Sequence, residues 1–288
     1  MSIRRALGNG TKLNDRYKIL VSLGRGGFGL TYLCEDLTNR KYVAVKEFFP
    51  AGAIRRNSSV ELPSNSEWDN TYEKIDNFLQ EAELISSIND TRVVKVLDAF
   101  KENKTAYYVM EFIQGRTLRK YVSERGFLSD MEIKELIDEI GKGLQTIHSK
   151  GILHGDLKPS NILITDDKKA VKITDFGAAS SIGTLYRGSI GNIVSMHYSS
   201  PERFTKEMIL TVQSDIYSLG AIIYFMVTGH DPLPATNRLK GENMRFPPIS
   251  KRLKKVIDKS MQLLPQNRFP NVSNMLKYLN SPIRYLFS

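Results

Sequence analysis

Two short motifs bracket a pair of apolar runs near the middle of the chain, and they leave little freedom in how that region folds. The first is His154-Gly155-Asp156-Leu157-Lys158-Pro159-Ser160-Asn161, and the second is Asp175-Phe176-Gly177. Between them, Ile162-Leu163-Ile164-Thr165 and Ala170-Val171-Lys172-Ile173 flank the polar stretch Asp166-Asp167-Lys168-Lys169. The pattern predicts strand, turn, strand: a hairpin that returns the second motif to the first. Four polar groups then gather at one end. Asp156 can accept the proton of an incoming hydroxyl, and Lys158 can offset charge on a phosphoryl group in transfer. Asn161 and Asp175 offer hard oxygen ligands, which suit Mg²⁺ on the phosphates of a nucleotide. An accidental polar loop would not need both halves at this spacing.

The two motifs resemble the catalytic loop and magnesium-binding segment of eukaryotic-type protein kinases. The lysine two residues after Asp156 points to the Ser/Thr form rather than the Tyr form. The resemblance implies an α+β, two-lobed fold, with a small β-rich lobe holding one helix and a larger, mainly helical lobe. It implies ATP and Mg²⁺ as cofactors, with Mn²⁺ as a possible substitute, and a protein substrate presenting a Ser or Thr acceptor. One position departs from the commonest pattern, which has Arg where this chain has Gly155. That Arg usually docks a phosphorylated activation segment, so its absence argues against a simple phosphorylation switch and leaves the chemistry untouched.

Upstream, Tyr17-Lys18-Ile19-Leu20-Val21-Ser22-Leu23 reads as a strand running into Gly24-Arg25-Gly26-Gly27-Phe28-Gly29, with Leu30-Thr31-Tyr32-Leu33-Cys34 returning. Glycines let a backbone approach phosphates, and the strand that follows favours a nucleotide-covering hairpin over a Rossmann turn. Tyr42-Val43-Ala44-Val45-Lys46 is an apolar strand with one charge, which needs a partner if buried. In the resemblance, Lys46 holds the α- and β-phosphates and pairs with a Glu on the next helix. That helix, read as residues 78–88, offers Glu81 and Glu83, and the family pattern selects Glu81. Nucleotide contacts implied in the same way fall on Gly24, Gly26, Gly27, Phe28, Gly29, Thr31, Ala44, Met110, Glu111, Ile113 and Leu163. Met110 would guard the back of the adenine pocket, while the backbones of Glu111 and Ile113 bond the purine edge at the hinge.

Residues 1–15 are polar and read as a loose arm. The long connection after Lys46, about residues 48–76, reads as a loop. It holds Trp68, either marking a docking insert or tucked against the small lobe. Val93-Val94-Lys95-Val96-Leu97-Asp98-Ala99-Phe100 and Thr105-Ala106-Tyr107-Tyr108-Val109-Met110-Glu111-Phe112 predict a hairpin. Leu118, Tyr121 and Val122 suit a short helix. Ser129 and Glu132 form a capping-box pattern before a stripe of Ile133, Leu136, Ile137, Ile140, Leu144 and Ile147.

After Gly177 the pattern is irregular as far as Asp215, with Ser180, Ser181, Thr184, Tyr186 and Ser189 among glycines. Ser195, Tyr198 and Ser200-Pro201-Glu202 resemble a substrate platform, Ser195 standing where a threonine commonly contacts the catalytic Asp and Lys. The resemblance pairs Glu202 with Arg268. Residues 215–227 are apolar all round and predict a buried helix, with Asp215 on its N-terminal dipole. Residues 231–250, with four prolines, read as a loop, and helices are expected near 251–263 and 271–280. The tail Ile283-Arg284-Tyr285-Leu286-Phe287 is apolar enough to dock somewhere.

The boundaries expected are an arm over 1–16, a small lobe over 17–112, a large lobe over 113–280 and a tail over 281–288. No apolar run approaches the roughly 20 residues of a membrane span, and Met1-Ser2-Ile3-Arg4-Arg5 does not begin a signal peptide. The single Cys34 excludes an internal disulfide and fits a reducing cytoplasm. A net charge of +10 is dispersed, with no aromatic-interleaved stripe, so no specific nucleic-acid partner is expected. The oligomeric state is not legible. Two rivals to a protein kinase capable of autophosphorylation remain. A small-molecule phosphotransferase of the antibiotic-kinase type shares the His-Gly-Asp form, but Lys158, Phe176-Gly177 and Ser200-Pro201-Glu202 stand against it. A pseudokinase scaffold would usually lack the base or a metal ligand, and neither is missing.

Overall fold

The computed structural model describes residues 6–26, 29–62, 71–126, 128–166, 170–176, 179–183, 195–204 and 209–281. The chain divides into two compact units, Met1–Asn89 with Val94–Ile113, and Asp90–Val93 with Gln114–Ser288. Among the described residues no helix is long and apolar enough to cross a membrane.

The first unit is built on a six-stranded sheet of β1 (Lys12–Leu13), β2 (Tyr17–Arg25), β3 (Gly29–Asp36), β4 (Lys41–Phe48), β7 (Val96–Glu102) and β8 (Thr105–Glu111), in the order β1-β2-β3-β4-β8-β7. A separate small hairpin joins β5 (Ile54–Arg56) to β6 (Ser59–Glu61). The turn between β7 and β8 places Asn103 and Lys104 in the left-handed region, as a tight antiparallel turn requires. Side chains alternate across β4. Ala44, Lys46 and Phe48 share the face on which helix α1 (Thr71–Ser86) packs, where Phe48 meets Phe78 and Phe78 meets Tyr108. Val43, Val45 and Glu47 face the other way, where Val43 and Val45 join a second buried cluster with Leu7, Leu13, Tyr32, Phe49, Val60 and Tyr107.

Two expectations change here. The arm is not loose over its described part: Leu7 and Leu13 are buried, β1 pairs with β2, and Leu7 N–H donates to Tyr32 Oη at 3.2 Å. Leu7 and Leu13, six positions apart in a polar stretch, carry no periodic signal, yet they cover one face of the sheet. The connection after Lys46 is likewise not a bare loop. It folds into the β5–β6 hairpin, and α1 begins at Thr71, seven residues before the expected start, with Ile75 extending the stripe of Phe78, Ala82 and Ile85. Trp68 lies outside the described residues, as does the tail from 282.

The second unit starts with β9 (Gly115–Thr117), α2 (Leu118–Arg125) and α3 (Asp130–Ser149). Ser129 and Glu132 close a capping box at the start of α3, and its predicted stripe is buried throughout. Then follow β10 (Ile152–Leu153), β11 (Ile162–Thr165), β12 (Val171–Ile173) and β13 (Ser180–Ser181). β11 pairs antiparallel with both β12 and β9, and β10 pairs with β13. Val93 bridges to Ile173, and Arg92 bonds Glu139 at 2.8 Å, which draws Asp90–Val93 into this unit rather than the first. Helix α4 (Val212–Thr228) is buried from Ser214 to Val227 and forms the core, with α6 (Lys251–Ser260) and α7 (Val272–Asn280) completing the unit. Residues 231–250 are not all loop, since α5 (Ala235–Leu239) forms one short turn of helix after Pro234.

Candidate active site

In the first unit, Lys46 Nζ lies 3.7 Å from Glu81 Oε1, with side chains only 6% and 10% exposed. Tyr108 supports the pair from β8: its hydroxyl donates to Glu81 Oε1 at 3.1 Å, and Lys46 Nζ sits 5.3 Å from its ring centroid. Burial leaves a lone ammonium or carboxylate very costly, so each charge holds the other in place. Glu83, the other candidate, is exposed. Thr31 lies opposite Lys46 in the β3–β4 register, and Ala44 lies opposite Met110 in β4–β8, so these four residues occupy one region of one sheet. Gly24 lies opposite Thr31, and Gly26 N–H donates to Gly29 O at 2.9 Å, closing the base of the glycine-rich turn. Gly27 and Phe28 lie outside the described residues. Glu111 N–H donates to Lys95 O, and Lys95 N–H donates to the Glu111 carboxylate, both at 3.0 Å. Ile113 ends the unit.

The second unit gathers the residues of the two opening motifs. Pro159 at the start of a single 3₁₀ turn carries the chain from Lys158 to Asn161 and directly into β11. Leu163, half-buried in β11, lies opposite Lys172 and Thr117. Lys158 Nζ donates to Asp156 Oδ2 at 2.6 Å and to Ser195 Oγ at 2.8 Å, while Ser195 Oγ donates to Asp156 Oδ1 at 2.9 Å. A carboxylate, an ammonium and a hydroxyl thus form a closed triangle. Asn161 Nδ2 donates to Asp156 O at 2.9 Å, which pins the carboxamide and turns its oxygen the other way. Thr174 N–H donates to Asn161 O at 3.0 Å, bringing Asn161 beside Asp175, whose φ of 59° is unusual for a residue with a side chain. Gly177 lies outside the described residues, as do Thr184, Tyr186 and Ser189.

Among the described residues no three His, Cys, Asp or Glu side chains converge as a metal cage. Asn161 and Asp175 instead offer one carboxamide and one carboxylate, hard oxygen donors that fit Mg²⁺, which takes one or two protein oxygens and leaves its other positions to phosphates and water. Asn161 Oδ1 and the Asp175 carboxylate are the groups that would hold it.

The parts that Asp215 and His154 play in holding this loop escaped the sequence reading. Asp215, assigned above to the helix dipole, sits in the first turn of α4, whose N-cap is Thr211, three residues earlier than expected. Its carboxylate accepts from His154 N–H and Gly155 N–H, each at 2.9 Å, and lies 2.8 Å from His148 Nε2. Burial alone would raise the Asp215 pKa, but these contacts carry it below the ordinary carboxylate value. Gly155 takes φ of 77°, a left-handed conformation that glycine adopts without strain. His154 is fully buried against Phe176, with ring centroids 4.6 Å apart. Its Nδ1 accepts from Asp156 N–H at 3.3 Å, and its Nε2 donates to Thr174 O at 3.1 Å, an arrangement open only to the neutral ring. Burial accordingly pushes the His154 pKa below its usual value. Apart from the bond between Asp156 and His154, these contacts join positions 20 to 67 residues apart, so no spacing rule could have found them.

Further along, Glu202 and Arg268 form a buried bidentate pair at 2.7 and 2.8 Å. Tyr198 and Arg119 meet Asp231, which ties the platform after Ser195 to the end of α4.

A lysine–glutamate pair on a sheet-and-helix unit and an aspartate–lysine–asparagine loop on a helical one are features of the protein kinase class. Residues 17–281 match the protein kinase domain family, and the chain belongs to that family. It is 31% identical over 284 residues to a probable serine/threonine-protein kinase of Clostridium acetobutylicum, covering 94% of this chain and 40% of that protein. It is 33% identical over 224 residues to serine/threonine-protein kinase PrkC of Bacillus subtilis, covering 77% of this chain and 32% of that one. Among solved structures, the apo form of PpkA-294 matches with a TM-score of 0.80 at 25% identity, over 96% of this chain and 99% of that one. The chain spans about two fifths of the length of the first curated relatives it matches.

Proposed function

We propose that the chain is an ATP- and Mg²⁺-dependent protein kinase that phosphorylates Ser and Thr hydroxyls of proteins, including its own. The observation that carries this reading is the Asp156–Lys158–Ser195 triangle, in which a serine hydroxyl already lies 2.9 Å from the proposed base. Asp156 orients an acceptor hydroxyl and takes its proton, and the Lys158 ammonium beside it stabilises charge on the group in transfer. Lys46, fixed by Glu81, holds the α- and β-phosphates, while the glycine-rich turn covers them. Asn161 and Asp175 would hold Mg²⁺, whose charge would offset that of the phosphates. Ala44 and Met110 line the adenine site, and the backbones of Glu111 and Ile113 bond the purine edge. Names of the relatives support the serine/threonine assignment. A cytoplasmic setting is part of the reading, in which Cys34, its pKa pushed up to about 12 by burial, stays an inert thiol.

The test is purified protein incubated with labelled ATP and a mixed protein extract, read by mass spectrometry. Phosphoserine and phosphothreonine should appear, and Asp156→Asn should lower the rate by about 10²- to 10⁴-fold while nucleotide still binds. Undiminished labelling by Asp156→Asn would refute the role of that carboxylate, and label appearing only on small molecules would favour the antibiotic-kinase alternative.

A further inference from the structure

Immediately after Lys46, on the opposite face of β4, stands Glu47, and it is fully buried. Its carboxylate accepts from Tyr32 Oη on β3 at 2.7 Å and from Tyr107 Oη on β8 at 2.8 Å. It also pairs with the Arg55 guanidinium, whose side chain is 3% exposed and lies over the Phe49 ring, 4.9 Å from its centroid. Arg55 comes from the small β5–β6 hairpin, and that hairpin is itself tied down by Val60 N–H donating to Asn103 O at 2.8 Å. On the next residue of β4, Thr105 Oγ1 donates to Phe48 O at 2.6 Å.

The backbone of Glu47 has a second engagement. Its carbonyl oxygen lies so close to Gly29 that a Cβ there would sit 1.9 Å from it, so only glycine permits the β3–β4 approach. Gly29 closes the glycine-rich turn through its bond from Gly26. One residue therefore borders the phosphate-binding lysine, the base of the turn and a buried ion pair. A pair so desolvated adds little net stability over an apolar pair of similar volume, while a fixed geometry is what charge-assisted bonds supply.

We propose that Arg55 is a positioning residue: acting through Glu47, the β5–β6 hairpin sets the strand that carries Lys46 and abuts Gly29, and so sets affinity for the nucleotide phosphates. The inference rests on the phosphotransfer reading above. Glu47 lies on the face of β4 opposite Lys46, and Arg55 meets it on that side.

Calorimetric titration with Mg-ADP, which needs no turnover, tests it in four chains: the parent, Arg55→Met, Arg55→Lys, and Glu47→Gln with Arg55→Met. Arg55→Met should weaken binding about ten-fold, the size of effect that indirect coupling to a site produces, and should lower the melting temperature. Arg55→Lys should recover part of the affinity. In the double variant no carboxylate is left buried alone, and the carboxamide accepts from one tyrosine hydroxyl and donates to the other, so melting should recover while binding stays weak. That split separates positioning from plain destabilisation. A double variant that binds Mg-ADP as the parent does, or an Arg55→Met chain of unchanged affinity, would overturn the proposal and leave the kinase reading intact. A parent that binds no Mg-ADP would overturn both.

Discussion

His154 shows how one ring can be bound to a protonation state. Asp156 N–H needs an acceptor and Thr174 O needs a donor, so the imidazole serves both only while neutral. Its folded pKa lies below the ordinary 6.5, which means that the unfolded chain takes up the proton first as pH falls. The stability involved is fully present above about pH 6.5 and is lost as pH drops from there toward the folded value. Asp215, also depressed, contributes above the ordinary carboxylate value of 3.8 and fails only below it. The melting temperature should accordingly fall in two stages. His154→Gln, which keeps one donor and one acceptor, should flatten the stage between pH 7 and 5 and leave the acid stage. An equally steep fall in that variant by differential scanning calorimetry would contradict this account. Asp156, Lys158, Asn161 and Asp175 were legible from spacing because chemistry dictates their types. His154 and Asp215 were not, because what they do depends on which backbone the fold brings to them.

Whole elements divide along the same line. Helix α3 was readable end to end, since its cap and its stripe are local patterns that burial then rewards. The Glu202–Arg268 pair was reachable only through the family resemblance, yet its logic is geometric. Arg268 makes five bonds, to both Glu202 oxygens and to the carbonyls of Gln262, Gln213 and Leu263, which accounts for all five guanidinium protons. Burial would raise the Glu202 pKa, but the Arg268 contact takes it below the ordinary value. Arg268→Met should destabilise the chain by about 3–5 kcal/mol in urea denaturation, because a carboxylate is left buried without its partner. Arg268→Lys should recover little, since a point charge cannot replace a planar fork. The start of α1, the β5–β6 hairpin and the short α5 were missed because each is held by contacts outside itself. Ile75 docks beside Phe78, Arg55 on Glu47, and Arg238 of α5 on Met261 O at 2.6 Å.

For the molecule as a whole, the catalytic loop is ordered from within its own unit. Asp215 on α4 holds the backbone of His154 and Gly155, and no arginine stands at position 155 to await a phosphate. Phosphatase-treated protein should therefore keep an appreciable part of its initial rate of peptide phosphorylation. A complete loss of activity on dephosphorylation, restored by rephosphorylation, would overturn that expectation. By itself the sequence determined the family and most of its strands and helices, and it singled out the candidate reacting groups, because spacing and side-chain chemistry are local properties. Only the tertiary structure decided that Leu7 and Leu13 of the arm cover a sheet and that the Arg55 side chain is buried on Glu47. A buried charge must find its counter-charge somewhere, and which one it finds is settled by packing across the chain rather than along it.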